Sequence, residues 1–193
     1  MSFFNLPQSS FLDLTPRQVE GYLPSSEISV EDCSKLYNEL ATLYDKTYSS
    51  SNRLNEPLVF KNLTNDNYSE VEALLRSFFF PTSQAKELIN IPNCSNIAYF
   101  KDQIVGGILL SPLGYIEYIF VCSHFRGNGL ASNLITKSRV HFPVLHLHVD
   151  PANSALSLYH KLGFEVEEYC PWFYVQYLPA DSLNCRHAIK LKL

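Results

Sequence analysis

Charge is scarce in this sequence: Lys, Arg, Asp and Glu supply 18% of its 193 residues, where soluble domains carry roughly 25%. Apolar residues reach 46%, and that combination excludes a disordered chain, which needs low hydrophobicity with high net charge. No block of Lys and Arg occurs and the net charge is −4, so the basic footprint of a nucleic-acid binder is missing. Apolar runs are short. Stretches such as Ile104–Leu110 fall far below the ~18–20 residues that cross a bilayer. The start of the chain, Met1–Phe11, has neither the basic residue nor the apolar stretch of a secretory signal, which makes a cytoplasmic protein the expectation. Cysteines are few, odd in number (five) and form no C-x-x-C pair. A zinc knuckle or redox couple is thereby disfavoured, and reduced buried thiols are expected. The sequons at Asn62, Asn67 and Asn93 then read as chance matches. Glycine is also rare, at seven residues, so any two that fall close together carry information.

Aromatics are what the chain has in surplus, with 13 Phe, 12 Tyr and 1 Trp. A chain of this length buries roughly 70% of its unfolded surface, but so many tyrosine hydroxyls also need partners or water. There is no internal repeat. The run Ser49-Ser50-Ser51, followed by Asn52 to Pro57, reads as a linker. It divides residues 1–56, a helical extension with its linker, from a domain at 57–193. Within the extension, Thr15-Pro16 resembles an N-cap with proline at the first helical position. A longer helix is expected over Val30–Tyr48, striped by Leu36, Tyr37, Leu40, Leu43, Tyr44 and Tyr48. Such a stripe must be covered, by the chain's own domain or by an auxiliary subunit docking on residues 30–48.

From Pro57 the pattern alternates between strand and helix. Strand-like runs are Leu58–Leu63, Ile97–Phe100, Gln103–Leu110, Tyr115–Val121 and Val144–Val149, with two more closing the chain. Helical patterns are Asn65–Phe78, Ser83–Ile89, Gly129–Val140 and Ser154–Leu162. The fold class is mixed α/β.

The stretch Val121-Cys-Ser-His-Phe-Arg126-Gly127-Asn128-Gly129-Leu130-Ala131 runs from a strand end into a helix start. Two glycines there let backbone N–H groups approach an anion, beside the positive end of the helix dipole. A dinucleotide fingerprint would need a third glycine and a Walker loop a Gly-Lys-Ser/Thr; neither is present. The pattern Arg126-x-x-Gly129-x-Ala131 resembles the pyrophosphate loop of the GCN5-related N-acetyltransferase (GNAT) superfamily, Arg/Gln-x-x-Gly-x-Gly/Ala. A second motif of that superfamily, Asn-x-x-Ala-x-x-Leu-Tyr-x-Lys-x-Gly-Phe, is similar to Asn153 through Tyr159 to Gly163-Phe164.

The resemblance narrows to the NatE and NatF types, which acetylate protein N-termini. They place a tyrosine where most of the superfamily has a glutamate base, matched by Tyr115. They pair it with a histidine in a Leu-His-Val strand end, matched by Leu147-His148-Val149, and carry Phe-Pro between their first helices, matched by Phe80-Pro81. Aromatic pairs and a final hairpin are matched by Tyr169, Trp172, Phe173 and Tyr174, then Pro179-Ala-Asp181. There are departures. Gln84 stands where NatE-type enzymes have a peptide-holding tyrosine, and Asn153 lies two rather than three positions before Ala155. The shorter loop leaves His146 as a fallback for His148, on the same face of the strand.

The resemblance implies an α/β (α+β) GNAT fold: a mixed central sheet of about seven strands with flanking helices, strands four and five splayed around acetyl-CoA. It implies acetyl-CoA as cosubstrate and no metal, bound through Val121, Arg126, Gly127, Asn128, Gly129, Leu130, Ala131, Asn153 and Tyr159. His148 would take the proton of the amine, directly or through a water held by Tyr115, with Glu117 as the rival base. Tyr159 would donate to the leaving thiolate, and a strand N–H at Val121 would meet the charge developing on the acetyl oxygen. Phe80, Pro81 and Thr82, with Phe173 and Tyr174, would form an aromatic slot for the acceptor peptide, suited to Met followed by a hydrophobic residue. Acetylation of a lysine or a small amine is the alternative. A catalytically silent acyl-CoA-binding adaptor, docking through its Leu/Tyr stripe, is a second. No NatF-type membrane tail follows the last strand before Leu193, so a soluble enzyme is expected.

Overall fold

The structure is a computed structural model and describes residues 13–45, 57–78, 80–178 and 180–193. The linker up to residue 56, Tyr48 and Pro179, to which the sequence assigned places, lie outside the described residues. In chain order the helices are α1 (Pro16–Glu20), α2 (Val30–Asp45), α3 (Asn65–Ser77), α4 (Ser83–Glu87), α5 (Leu130–Ser138) and α6 (Leu156–Lys161). The strands are β1 (Val59–Lys61), β2 (Ser95–Phe100), β3 (Gln103–Leu110), β4 (Ile116–Val121), β5 (His146–Val149), β6 (Glu165–Cys170) and β7 (Ala188–Lys192). They fall into two compact units: Ser49–Leu145, and Met1–Tyr48 together with His146–Leu193.

The 49–145 unit is built on an antiparallel sheet in the order β1-β2-β3-β4. Lys101 and Asp102, with φ of 49° and 64°, close β2 onto β3 as a two-residue turn whose positive φ values match the twist of the strands. α3 starts at Thr64, where the Thr64 amide donates to Asn67 Oδ1 at 2.8 Å, so this sequon asparagine works as a helix cap. Its apolar side, Val71 and Leu75, is buried with Leu63, Ile97, Leu109 and Phe120. Gly106 on β3 is required by packing: a Cβ there would lie 2.8 Å from the Phe120 carbonyl oxygen and 2.9 Å from Leu130 Cδ2. The missing side chain seats the start of α5 on the sheet.

The second unit holds the antiparallel sheet β5-β7-β6. One face is apolar, with Leu147, Val149, Ile189, Leu191 and Tyr169 buried. α2 packs on β6 and on α6, burying Leu36, Tyr37, Leu40 and Tyr44. Polar ties fasten the N-terminal segment further: Tyr44 Oη donates to the Pro151 carbonyl at 3.4 Å and Tyr169 Oη to the Pro24 carbonyl at 2.7 Å. Lys161 pairs with Asp45. These four positions of the stripe are therefore covered by the chain itself. An amphipathic helix buries its stripe on the nearest apolar sheet, and here that sheet lies more than a hundred residues away in sequence.

The mixed α/β class is as expected. Among the described residues, seven strands pair into two antiparallel sheets, one of four strands and one of three. All five cysteines are free thiols. Among the described residues no helix is long and apolar enough to cross a membrane.

Candidate active site

The 49–145 unit carries the glycine loop. After β4, a 3₁₀ turn at Ser123–Phe125 leads to Gly127 and Gly129, with φ of 78° and 72°, conformations that glycine adopts without strain. Gly129 is the N-cap of α5, and a Cβ placed on it would meet nothing within 4 Å. The first helical hydrogen bond to its carbonyl comes from Asn133 at 3.0 Å. The N–H groups of Leu130, Ala131 and Ser132 therefore lack helical acceptors and point out of the helix start. Open space in front of exposed donors is what a pyrophosphate needs, so these residues fit the group. Leu130 contributes only its backbone, because its side chain is buried. Asn128 spends its amide on the loop, donating to the Phe125 and Arg126 carbonyls at 3.2 and 3.3 Å. Arg126 Nε donates to the Val121 carbonyl at 3.0 Å, and the guanidinium has four further N–H donors.

Val121 also follows from the ladder. The Cys122 amide donates to the Val105 carbonyl at 2.9 Å, so the alternation of an antiparallel pair turns the Val121 N–H away from β3. β4 is the edge of its sheet, and that N–H faces outward. Tyr115 precedes β4, half-buried; its amide donates to Ser111 Oγ at 3.3 Å and its carbonyl accepts from the Ser111 amide at 2.8 Å. Between Leu109 and Leu110 the β3–β4 register shifts, so Glu117 has no partner across the ladder. Burial still alternates through this bulge, with Tyr115, Glu117, Ile119 and Val121 all partly exposed. Desolvation raises the Glu117 carboxyl above its ordinary pKa.

The Phe80-Pro81-Thr82 loop belongs to the same unit. Tyr118 Oη donates to the Pro81 carbonyl at 2.7 Å and reaches Gln84 Oε1 at 3.4 Å. Phe80 stands edge-on to the Tyr118 ring at 5.7 Å, and Thr82 Oγ1 donates to Glu72 at 3.2 Å. The sequence pattern singled out no role for Tyr118. Its signal was the alternation in β4, which turns it toward α4.

In the other unit, His148 stands one residue before the end of β5, half-buried. Its ring stacks on Phe173 with centroids 3.9 Å apart and planes 19° from parallel, and Cys170 Sγ lies 3.5 Å from its Nε2. Burial first, and the Lys190 ammonium second, bring the imidazole down to about 4, so it is neutral at pH 7. Phe173, expected in the peptide slot, is thus spent at least partly on orienting His148. Tyr174 packs edge-on against Phe173 at 5.0 Å, and its phenol is pushed well up by burial. His146, the fallback, is held by Glu167 at 2.8 Å. Asn153 Oδ1 accepts from the Ala155 amide at 2.9 Å, starting the turn into α6. Tyr159 is buried, 5% exposed, with its ring edge-on to Phe164; burial raises its phenol, so it stays protonated. Among the described residues, no group of three or more His, Cys, Asp or Glu could hold a metal ion.

The acetyltransferase (GNAT) domain profile matches residues 64–170, more than half of the chain and spanning both motifs. The chain belongs to the GNAT acetyltransferase family. Its fold is similar to that of Arabidopsis thaliana Naa50 in complex with the bisubstrate analogue CoA-Ac-MVNAL. That match has a TM-score of 0.59 and 21% identity, covering 70% of this chain and 97% of that one. Arabidopsis thaliana NAA60, also in complex with a bisubstrate analogue, matches with TM-score 0.59 and 17% identity over 71% of this chain and 97% of that one. In sequence, the human cysteine-rich protein 2-binding protein is 29% identical over 144 residues, 71% of this chain and 18% of that protein. The GNAT chain thus spans about a fifth of the length of that curated relative. This GNAT domain uses acetyl-CoA as its cosubstrate.

Proposed function

We propose that this chain transfers the acetyl group of acetyl-CoA to the α-amine of a protein N-terminus, with Met followed by a hydrophobic residue as the preferred start. The loop from Arg126 to Ala131, with Asn153 and Tyr159, would hold the coenzyme, which supplies the activated acetyl group. Val121 N–H would donate to the acetyl oxygen as charge develops there. Tyr159 would protonate the departing sulfur. Residues 57–193 would form the catalytic domain, supported by the packed N-terminal segment.

The carrying observation is the placement of His148, half-buried against Phe173 and opposite Lys190, surroundings that bring its imidazole down to about 4. So weak a base suits an acceptor of which a substantial fraction arrives uncharged. An α-amine, with a pKa of about 7.7–8.0, is roughly one-quarter to two-fifths neutral at pH 7.5, whereas a lysine near 10.4 is about 0.1% neutral. His148, with a water held by Tyr115, then needs only to take the proton released as the N–C bond forms. The NatE/NatF resemblance and the Met-Val start of the analogue bound to Arabidopsis Naa50 support the same acceptor. Phe80, Pro81 and Thr82, and Tyr174 beside Phe173, are the residues proposed to receive the peptide.

A second reading rests on Glu117, whose raised carboxyl would serve a lysine or polyamine acceptor. Incubating the protein with acetyl-CoA and peptides starting Met-Leu, Met-Lys, Ser or Ala, beside polyamines and internal-lysine peptides, separates the two. Acetylation of the Met-Leu peptide above all others is expected. Product only on lysines or polyamines would overturn the N-terminal reading in favour of the second.

A further inference from the structure

The polar face of the β5-β7-β6 sheet carries charges that the acetyl-transfer chemistry leaves unused. Register places His148 opposite Lys190 and Lys190 opposite Glu168, with His146, Lys192 and Glu165 in the next row. Each lysine of the central strand thus has a histidine on one side and a glutamate on the other. A shift between Val166 and Glu168 leaves Glu167 without a partner on β7, and such bulges re-aim side chains. The Glu167 carboxylate lands on the histidine face: its Oε2 is 2.8 Å from His146 Nδ1 and 3.3 Å from Lys190 Nζ. Both partners of the Lys190–Glu167 pair are partly shielded, with side chains 31% and 27% exposed, so solvent screens them less than an exposed pair.

We propose that Lys190 and Glu167 are positioning residues for His148, an ammonium and a carboxylate that together set the pH at which its imidazole takes up a proton. The inference rests on the reading of His148 as the base for acetyl transfer. Directly opposed residues have Cβ atoms about 4.5–5.5 Å apart, so the Lys190 side chain starts beside the ring, and a nearby cation disfavours imidazolium. Glu167 works in the other direction twice, as an anion near the ring and as the group that neutralises Lys190. Other groups on this side of the unit are His146 on β5, Lys192 on β7, and Glu165, Glu168 and Cys170 on β6. Phe173 stacks on the ring, with Tyr174 and Tyr177 packed around Phe173. Of the charged groups, Glu167 alone is shared by His146 and Lys190, which makes Lys190 and Glu167 the adjustable pair.

The test is an NMR titration of the histidine Cε1–H resonances in the full chain without acetyl-CoA, with His148 assigned through His148→Gln. Lys190→Met should raise the His148 midpoint by about one pH unit, and Lys190→Arg should leave it in place. Glu167→Gln should keep the resonance at its neutral position to a lower pH than in the parent chain. Lys190→Gln replaces Lys190→Met if the latter does not fold. An unmoved midpoint in the neutral variants, or an equal rise in Lys190→Arg, would overturn the inference. The acid limb of kcat/KM is measured in parallel. If the midpoint moves and the limb follows, both readings stand; if only the midpoint moves, the control of His148 stands and its role as base falls.

Discussion

Asp150 follows His148 by two residues and titrates against the trend of its neighbours. Its Oδ1 accepts from the Ala152 amide at 2.7 Å, yet burial of the carboxyl dominates and raises it from 3.8 to about 7. The folded chain therefore holds a proton that the unfolded chain has lost between about pH 4 and 7. The stability from this group is complete below about 4 and disappears as pH rises through 7. His148 and His187 have the opposite sign: burial lowers both, so their contribution is present above the ordinary 6.5 and lost as pH falls. Asp150→Asn keeps an oxygen for Ala152 and removes the carboxylate. Its melting temperature should gain on the parent progressively from pH 5 to pH 8, read by thermal shift; a constant difference across that range would contradict the assignment. Neither Asp150 nor the Phe173–His148 stack was legible in the sequence. His148 was found by its motif, but its low proton affinity depends on Lys190, forty-two residues downstream on another strand, and on burial that no local pattern records.

Glycine placement shows the same contrast for the elements. Gly127 and Gly129 stood out in the sequence because they sit between a strand and a helix in a glycine-poor chain. Gly106 did not, since its need comes from Phe120 and Leu130, which reach it only after β4 and α5 have folded onto β3. Gly106→Ala puts a methyl 2.8 Å from a carbonyl oxygen that cannot rotate away. A loss of about 1–3 kcal/mol is expected, together with weaker coenzyme A binding, because the first turn of α5 is displaced. An unchanged melting temperature with unchanged coenzyme A affinity, by calorimetry, would show that α5 is seated otherwise. Element positions themselves were readable: β3 lies at Gln103–Leu110 as expected, and α1 follows its Thr15-Pro16 start with Gln18 completing the capping box. The bulge at Glu117 and the one at Glu167 were not, because a bulge is a property of two strands together.

Across the chain, the N-terminal segment changes meaning most. Composition and the serine run mark it as an extension, whereas α2 is part of the core formed with α6 and β6. The surplus of aromatics divides accordingly: Tyr37 and Tyr44 are buried structure, Tyr118 pins the Phe80-Pro81 loop, and Tyr115 and Tyr159 are the tyrosines proposed for chemistry. The proposed function is that this GNAT domain acts on α-amines through a weakly basic His148. The most direct measurement offers both nitrogens in one molecule, a Met-Leu peptide with a free N-terminus and an internal lysine, and locates the acetyl group by fragmentation mass spectrometry. The account predicts product on the α-amine, lost by about 10²–10⁴-fold in His148→Ala while acetyl-CoA affinity is unchanged. Product on the lysine side chain, undiminished in that variant, would contradict it.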